Sequence, residues 1–470
     1  MSGALRGWGA RWVLPITAPP IADGVVLVDD AGRIAWVGPR ADAPPAAVEA
    51  LGDAALLPGL VDAHTHLELT AFRGLLELPS FFAWVRTLTR ARAAVLGDAA
   101  MHDAALVGVA EGLAAGVTTF ADTSSSGAPL DALVALGARG IVYQEVFGPD
   151  PGQRAGALAG LQRQVAALRA RSTPLVAVGV SPHAVYSVHE ELLLDACAWA
   201  LGERLPIAIH ASESAAEIDF LREARGPFAE LLRGRGIEVV RRAHSPVHLL
   251  AELGIAATAR PLLIHGVQFD ESDVALLAYY DCPVAHCPAS NARLGHGVAP
   301  LRALLDAGVR VGLGTDSVAS NDRLDLLDEA RHAALAQRAA LRRPDALSAA
   351  EALQLATLGG ARALGLDDRI GALEPGREAD LAAFSLDGVR GGAASDPATA
   401  LVFALAGRPA LLTVVAGQPR ARDGVVPGLD PTVPARVSAA AARLAAWIAA
   451  DGAADGAADG AADGRAADRS

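Results

Sequence analysis

The chain has 470 residues, and a composition of 52% hydrophobic and 20% charged residues is typical of a protein that buries a large core. A net charge of −13 without any basic stripe argues against nucleic acid or an anionic membrane surface as a partner. The sequence contains no lysine, which excludes a lysine Schiff base, a phosphate-loop lysine and a carbamylated lysine that bridges two metals.

The cysteines and the N-terminus indicate a reducing, cytoplasmic setting. Cys197, Cys282 and Cys287 fit neither a disulfide framework nor a zinc-binding spacing. The first residues lack the basic and apolar regions of a secretion signal, and no apolar run reaches about 18 residues without a charge. We therefore expect a cytoplasmic protein without a membrane span.

Both ends of the chain carry short strand patterns. "GVVLVDDAGRIAWVGPR" predicts two strands joined by a turn, and the segments 371–384 and 409–424 have the same hairpin pattern. We predict that residues 1–55 and 371–430 pair into one small β-sandwich. Residues 431–470 begin as an alanine-rich helix and end in the repeat "DGAADGAADGAADGRAAD", which we expect to be disordered.

Residues 56–370 repeat one pattern, in which a short apolar run ends in polar residues and a longer segment with helical spacing follows. This alternation predicts an α/β fold with a parallel sheet between helices, and eight such units predict a closed (β/α)8 (TIM) barrel. The eight runs are Leu56–His66, Gly116–Ser124, Gly140–Gly148, Leu175–His183, Leu205–Ser214, Pro261–Val267, Asp281–Ser290 and Val309–Ser317.

The active site of such a barrel lies at the carboxyl ends of its strands. Residues i and i+2 of a strand point the same way, so His64 and His66 can bind one ion together. With His210 and the carboxylate of Asp316, and a position left for water, they suit one catalytic zinc ion, or Fe(II) in some settings. Further candidates at the strand ends are His183, Glu213, His265 and His286.

Each of these residues also has a structural interpretation. An H-x-H pair alone is often incidental, His286 is either a direct or a structural group, and Glu213 could instead open a helix at the surface. The combination of suitable residues at the ends of the correct strands favours the metal centre. We interpret the other histidines as surface groups, namely His102, His189, His244, His248, His296 and His332.

Several stretches resemble the amidohydrolase superfamily, and together they span about residues 20 to 425. They are "PGLVDAHTHLE", "HASE", "LLIHG", "HCPASN", "GTDS" with "SNDRLDLLDE", and "GALEPGREADL". Within the superfamily the chain resembles the branch that holds guanine deaminase, methylthioadenosine/S-adenosylhomocysteine deaminase and the triazine chlorohydrolases. This resemblance implies one metal and no carbamylated lysine, in agreement with the lysine-free sequence.

The resemblance also implies roles for single residues. His64, His66, His210 and Asp316 would hold the metal, and Asp316 would accept a proton from the attacking water. His265 would polarise that water, and whether it also binds the metal stays open. The remaining implied roles are a proton shuttle to a ring nitrogen for Glu213 and a purine contact for His183.

The substrate is expected to be a small aminopurine nucleoside that loses ammonia. "HTHLELTAFRG", "SFFAWVRTL", "HASESAAEIDFL" and "SPVHLL" resemble 6-aminodeoxyfutalosine deaminases of the alternative menaquinone route. The methylthioadenosine/S-adenosylhomocysteine deaminases place a ribose-binding glutamate beyond the tryptophan that aligns with Trp84, and "WVRTLTRARA" has no acid there. The alternatives are those deaminases, deaminases of guanine or another aminated heterocycle, and a triazine-type chlorohydrolase. Whether the protein forms a homodimer is left open.

Candidate substrate-binding residues follow from this comparison. Glu68 would bind ribose hydroxyls, or alternatively form a buried pair with Arg73. Trp84, with Phe81 and Phe82, would wall an aromatic pocket or serve only for packing. Four arginines in the connection 215–260 would reach a substrate carboxylate or lie in solvent, namely Arg222, Arg225, Arg241 and Arg242.

Overall fold

The computed structural model describes residues 5–391 and 395–467. Its strands form two structural units, a barrel and a separate sheet that we call the outer sheet. The strands are β1 (Arg6–Val13), β2 (Ile21–Val28), β3 (Ile34–Pro39), β4 (Ala47–Ala50), β5 (Ala54–Pro58), β6 (Leu60–Thr65), β7 (Val117–Ser124), β8 (Arg139–Val146), β9 (Val176–Pro182), β10 (Ala208–Ala211), β11 (Leu262–His265), β12 (Val284–His286), β13 (Val311–Leu313), β14 (Leu381–Ser385), β15 (Leu412–Val415) and β16 (Gln418–Arg422).

The strands β6 to β13 form the predicted (β/α)8 barrel. β6 to β9 pair in parallel in chain order, and β10 to β13 do the same. Parallel bridges from Val180 to Ile207 and from Thr65 to Asp316 join the two groups of strands and close the barrel. Each of the eight predicted runs overlaps one barrel strand, so the predicted fold class is confirmed.

Helices follow the barrel strands and pack around them. They are α1 (Phe81–Val95), α2 (Asp98–Ala114), α3 (Ala128–Leu136), α4 (Arg154–Arg169), α5 (Glu190–Gly202), α6 (Ala215–Glu223), α7 (Pro227–Gly234), α8 (Pro246–Glu252), α9 (Ile255–Ala259), α10 (Glu271–Tyr280), α11 (Pro288–Arg293), α12 (Leu301–Asp306), α13 (Val318–Asn321), α14 (Leu326–Leu341), α15 (Ala349–Gln354), α16 (Gly360–Ala363), α17 (Pro397–Thr399) and α18 (Val433–Ala467). Side-chain oxygens cap several of them, and α10 and α15 begin with complete capping boxes.

The barrel core is built from small and branched apolar side chains. One buried cluster joins Val61, Ala121, Ile141, Ala208 and Ile264, which come from five different barrel strands. A larger apolar cluster surrounds the barrel strands and the helices that cover them. The packed core supports polar residues at the strand ends in fixed positions.

The first predicted run, Leu56–His66, is in fact two strands. β5 pairs antiparallel with β14 in the outer sheet, whereas β6 belongs to the barrel. The break falls at Gly59, where an added Cβ would lie 2.2 Å from the Thr118 hydroxyl oxygen. A continuous apolar run conceals this break because both strands are buried.

Both chain ends contribute to the outer sheet. Hydrogen bonds join its strands into one eight-stranded sheet in the order β16-β15-β14-β5-β1-β2-β3, with β4 beside β1. The predicted β-sandwich is therefore a single connected sheet, since β5 links the strands of the two ends. Segment 371–384, expected as a hairpin, contributes only the beginning of β14.

The last helix is longer than the sequence suggested. Where disorder is predicted for the repeat, the structure continues α18 to Ala467. Residues 468–470 lie outside the described part of the chain. Among the described helices, none is by itself long and apolar enough to cross a membrane, and one bent pair, α1 with α2, passes that test on length and composition.

Candidate metal centre and active site

Five predicted residues come together at the carboxyl ends of the barrel strands. One group of potential ligand atoms comes from His64, His210 and His265, and a second comes from His64, His66 and Asp316. Within each group these atoms lie within 4.8 Å of one another. His64 belongs to both groups, so the residues surround one position.

The seam between β6 and β13 fixes two of these residues relative to each other. The backbone N–H of Asp316 donates to the carbonyl of His64 at 2.9 Å. Beneath them, Asp62 accepts hydrogen bonds from the N–H of Thr315 at 3.0 Å and from its hydroxyl at 2.6 Å. Burial raises the pKa of Asp62 to about 7, although Thr315 and His64 donate to it. The contact between β6 and β13 therefore brings together side chains from the first and the last strand of the barrel.

The residues present fit a divalent metal. His64 is 1% exposed, and among the described residues neither of its ring nitrogens makes a well-formed hydrogen bond, which is rare for a buried polar group. Burial lowers the pKa of His64 to about 4 and that of His210 well below its usual value, so both imidazoles keep a lone pair. Burial raises the pKa of Asp316, but the neighbouring His64, His265 and His66 outweigh it and hold the carboxyl ionised.

Neighbouring groups orient these side chains through their remaining atoms. His210 Nδ1 lies 3.2 Å from the carbonyl of His183, and His265 Nδ1 lies 3.0 Å from Asn291 Oδ1. The hydroxyls of Ser290 and Ser320 donate to Asp316 Oδ2, so Oδ1 faces His64 and His66 at 3.3 and 3.5 Å. Such partners fix ring orientation and leave the other nitrogen free for an ion. Three nitrogens and one carboxylate suit zinc.

Three residues at this site have left-handed backbone conformations. His265 and Asp316 have φ values of 77° and 56°, and Ser212 between His210 and Glu213 has 55°. Non-glycine residues adopt this region at a cost, which the surrounding packing must offset.

Gly314, two residues before Asp316, allows the strands to approach. A Cβ at this position would lie 2.9 Å from the Cβ of His64 and 3.0 Å from the sulfur of Cys287. We expect Gly314→Ala to displace His64, reduce bound metal and lower the free energy of unfolding by about 1–3 kcal/mol. Denaturation curves and metal analysis measure both effects.

Gly156→Ala in α4 is the matched control, because nothing lies within 4 Å of an added Cβ there. It should be neutral or slightly stabilising. Equal metal content and equal stability in the two variants would contradict the steric account of Gly314.

Glu213 lies in this centre and is not a surface group. The residue is 6% exposed and follows β10, while Ser214 caps α6. Its Oε1 lies 3.8 Å from His265 Nε2 and 3.4 Å from His296 Nε2. Burial raises the pKa of Glu213, but His265 and His296 outweigh it and the net shift is downward. The carboxylate is thus ionised beside the candidate metal ligands.

His296 is not the surface group that the sequence indicated. Its side chain is 5% exposed and contacts both Glu213 and Phe81. Its position between Gly295 and Gly297, downstream of "HCPASN", is the signal that could have suggested a shaped loop. The other predicted strand-end histidine, His286, is buried, and neither of its ring nitrogens has a hydrogen-bond partner among the residues that the structure describes.

The substrate-binding candidates are only partly brought together. Glu68 is buried and pairs with Arg92 at 2.7 Å, so the alternative pairing with Arg73 is wrong. Arg73 instead contacts Glu111 and the carbonyl of Asp322. The Arg73 pairing failed because helix α1 brings Arg92 over Glu68, a contact between residues 24 apart.

His183 and Trp84 lie on two sides of the centre. The His183 ring stacks on His210 with centroids 4.7 Å apart, and its Nδ1 lies 2.7 Å from the Ser187 hydroxyl. Trp84 stacks on Phe81 at 6.1 Å, and its buried indole nitrogen has no hydrogen-bond partner in the described chain. Phe81 therefore contacts the rings of both Trp84 and His296.

The four arginines proposed for a substrate carboxylate each have a partner within the protein. Arg222 contacts His244 and Asp270. The others form ion pairs with acids on neighbouring helices or turns, namely Arg225 with Asp219, Arg241 with Glu223 and Arg242 with Glu190. Arg92, beside Glu68, is the arginine that lies nearest to the predicted substrate-binding acid.

Glu145 is a second buried acid at a strand end, and the sequence did not single it out. The residue is 8% exposed at the end of β8, and burial together with Glu68 raises its pKa to about 8, against a smaller opposing effect of Arg92. The stability that its neutral form contributes is present below about pH 4.5 and is lost as pH rises through about 8.

Glu145→Gln cannot ionise, so we expect its stability advantage over the unsubstituted protein to grow between pH 5 and pH 8. Urea denaturation at both pH values measures it, with Glu230→Gln on the exposed face of α7 as the control. A pH-independent difference for Glu145→Gln would show that its carboxyl does not titrate in this interval.

Comparisons with known proteins agree with this geometry. The sequence profile of the amidohydrolase family matches residues 55–420. A 5-methylthioadenosine/S-adenosylhomocysteine deaminase of Halobacterium salinarum is 33% identical over 432 residues, covering 90% of this chain and 94% of the relative. The corresponding deaminase of Syntrophobacter fumaroxidans is 36% identical over 359 residues, covering 74% of this chain and 77% of the relative.

Solved structures share the whole architecture. An adenosine deaminase from Xanthomonas campestris with bound zinc has a TM-score of 0.83 at 29% identity, covering 96% of this chain and 99% of its own. The zinc complex of an atrazine chlorohydrolase from Arthrobacter aurescens has 0.79 at 27%, covering 93% and 100%. The aminofutalosine deaminase of Helicobacter pylori with methylthio-coformycin has 0.77 at 21%, covering 88% and 99%, and shows the fold alone. The chain belongs to the amidohydrolase family and is a hydrolase that acts on carbon–nitrogen bonds.

Proposed function

We propose that this protein is a metal-dependent deaminase that hydrolyses the exocyclic amino group of an aminopurine nucleoside and releases ammonia. The observation that carries this proposal is the buried Glu213 carboxylate beside the cluster of metal ligands. Hydrolysis at an amidine-like ring carbon needs a nucleophilic water on one side and a proton donor for the adjacent ring nitrogen on the other.

The ligands His64, His66, His210 and Asp316 would hold one divalent metal, for which we propose zinc, with Fe(II) as the alternative. When bound, the metal supplies a water whose pKa is lowered towards neutrality. Asp316 Oδ1 takes up the proton that the attacking water loses, since Oδ2 is already engaged by two serine hydroxyls. His265, fixed by Asn291, orients the water.

Glu213 moves the second proton of the water. Its carboxylate accepts that proton from the attacking oxygen and donates it to the ring nitrogen next to the carbon under attack. Asp316 returns the first proton to the amino nitrogen as the carbon–nitrogen bond breaks, so that ammonia leaves and the oxygen of the water remains as the ring carbonyl. Water and the amine are consumed and the carbonyl product and ammonia are formed, so atoms and protons balance.

Substrate binding is assigned to groups that border the metal ligands. We propose that the stacked His183 ring contacts the purine and that Glu68 accepts hydrogen bonds from ribose hydroxyls. Arg92 and Ser126 hold the Glu68 carboxylate, which has further acceptor sites available. Trp84 stacks on Phe81, and these two rings would form one wall of the substrate pocket.

Two nucleosides compete as the physiological substrate. We propose 6-aminodeoxyfutalosine, because the stretches after the metal pair resemble that subgroup and because α1 offers no acid in the position typical of the alternative. Methylthioadenosine and S-adenosylhomocysteine form the second candidate, supported by the names of the curated relatives.

A substrate panel tests the proposal. The zinc-loaded protein is given 6-aminodeoxyfutalosine, methylthioadenosine, S-adenosylhomocysteine, adenosine, guanine and atrazine, and ammonia release is recorded with the adenine absorbance change. We expect the highest kcat/KM for an aminopurine nucleoside. If all adenine compounds were inert and guanine or atrazine were consumed, the proposed function would be wrong.

A further inference from the structure

Two imidazoles, those of His265 and His296, flank the Glu213 carboxylate, and only one of them is placed to donate a hydrogen bond to it. His265 Nδ1 is engaged by Asn291 Oδ1 at 3.0 Å, and the His265 ring belongs to a group of potential metal ligands. Its Nε2 lies 3.8 Å from Glu213 Oε1, beyond hydrogen-bond distance, whereas His296 Nε2 lies 3.4 Å from the same oxygen. His296 is the imidazole that remains as a donor.

The loop around His296 fixes the direction of its ring. The N–H of His296 donates to the carbonyl of Asn291, and its own carbonyl accepts from Gln268 Nε2, both at 2.9 Å. Gly295 and Gly297 on either side have φ values of 72° and 109°, which glycine adopts without strain. The same connection therefore holds Asn291, which orients His265, and His296, which faces Glu213.

The ring itself is buried between an aromatic group and the carboxylate. It lies edge-to-face on Phe81 with centroids 4.6 Å apart at 87°. Its Nε2 is buried without any well-formed hydrogen bond, and Glu213 Oε1 lies 3.4 Å away. A buried donor of this kind needs an acceptor, and a small rotation of the Glu213 side chain completes the bond.

We infer that His296 is a positioning residue that donates from Nε2 to Glu213 Oε1 and so directs Oε2 towards the ring nitrogen of the substrate. A glutamate side chain has several rotatable bonds, and an anchored carboxylate spends more time in the reactive orientation. His296 moves no proton itself and touches no reacting atom. This inference rests on the proposed role of Glu213.

Two variants separate the hydrogen bond from packing. His296→Leu keeps an apolar contact with Phe81 and removes the donor, whereas His296→Gln keeps an N–H donor at a similar reach. In the zinc-loaded enzyme we expect His296→Leu to lower kcat by about 10- to 100-fold, with KM and metal content nearly unchanged. His296→Gln should retain most of the activity.

The double variant decides whether His296 acts through Glu213. In the Glu213→Gln background, His296→Leu should cause no further loss of kcat, because the group that it positions is already gone. Losses that multiply, or a raised KM with unchanged kcat, would overturn the inference and make His296 a substrate contact.

A measurement without substrate keeps this inference separate from the proposed function. In zinc-loaded protein labelled with ¹⁵N-histidine, side-chain NMR should show His296 with its proton on Nε2, and Glu213→Gln should shift that resonance. His296 protonated on Nδ1 alone, or unaffected by Glu213→Gln, would overturn the contact. Should no aminopurine be turned over, the proposed function would fail while this spectrum still decides the hydrogen bond.

Discussion

Glu213→Gln is expected to lower kcat by about 10²-fold or more while the protein keeps its fold and its metal. Glutamine has nearly the same shape and can accept a hydrogen bond from His296, but it cannot take up and return a proton. The ring nitrogen of the substrate would then stay unprotonated when the amine has to leave. Steady-state kinetics, metal analysis and thermal unfolding of the same preparation measure the three quantities.

Glu217→Gln is the matched control, since it changes the neighbouring buried carboxyl. Burial raises the pKa of Glu217 to about 8, so at neutral pH it is largely protonated and resembles glutamine. Its oxygen accepts from the N–H of Glu213 at 2.9 Å, and an amide oxygen can do the same. We expect a much smaller effect on kcat. Near-normal turnover in Glu213→Gln, or equal losses in both variants, would remove Glu213 from the proton path.

Removal of the metal is expected to lower activity below about 1% and also to lower the unfolding temperature, because an ion that binds only the folded state adds stability by mass action. Neither ring nitrogen of buried His64 makes a well-formed hydrogen bond within the described part of the chain, so the apoprotein keeps poorly satisfied polar atoms in its core. Activity and thermal unfolding are measured before and after dialysis against a chelator.

Addition of zinc or Fe(II) should restore both properties, whereas Mg²⁺, which prefers oxygen ligands, should restore neither. Asp316→Asn is the corresponding variant. It should bind the metal more weakly, while its stability in the presence of chelator should equal that of the unsubstituted protein. Full activity after complete removal of metal would contradict the assignment of His64, His66, His210 and Asp316 as ligands.

The barrel and its ligands could be predicted because they depend on local patterns. A parallel strand buried on both faces reads as a continuous apolar run, and the residue that follows it lies at the active-site end. His64 and His66 follow this rule within one run, and His210 and Asp316 follow it in two others. The structure places their potential ligand atoms in two groups that share His64.

The remaining features depend on contacts between distant segments. Arg92 on α1 reaches Glu68 across 24 residues of sequence, and no spacing in the sequence encodes that contact. The proposed role of His296 depends on a glycine-flanked loop that brings this residue to Glu213, which lies 83 residues earlier in the sequence. The two strands within Leu56–His66 could not be separated because both sides of Gly59 are equally apolar.

The most direct test of the central claim follows the amino group of the substrate. The zinc-loaded protein is incubated with an aminopurine nucleoside in ¹⁸O-labelled water, and the product is analysed by mass spectrometry. We expect the exocyclic amino group to be replaced by labelled oxygen, with one ammonia released per nucleoside and the sugar bond intact. A product that keeps its amino group, or that gains its oxygen without loss of ammonia, would contradict a deaminase.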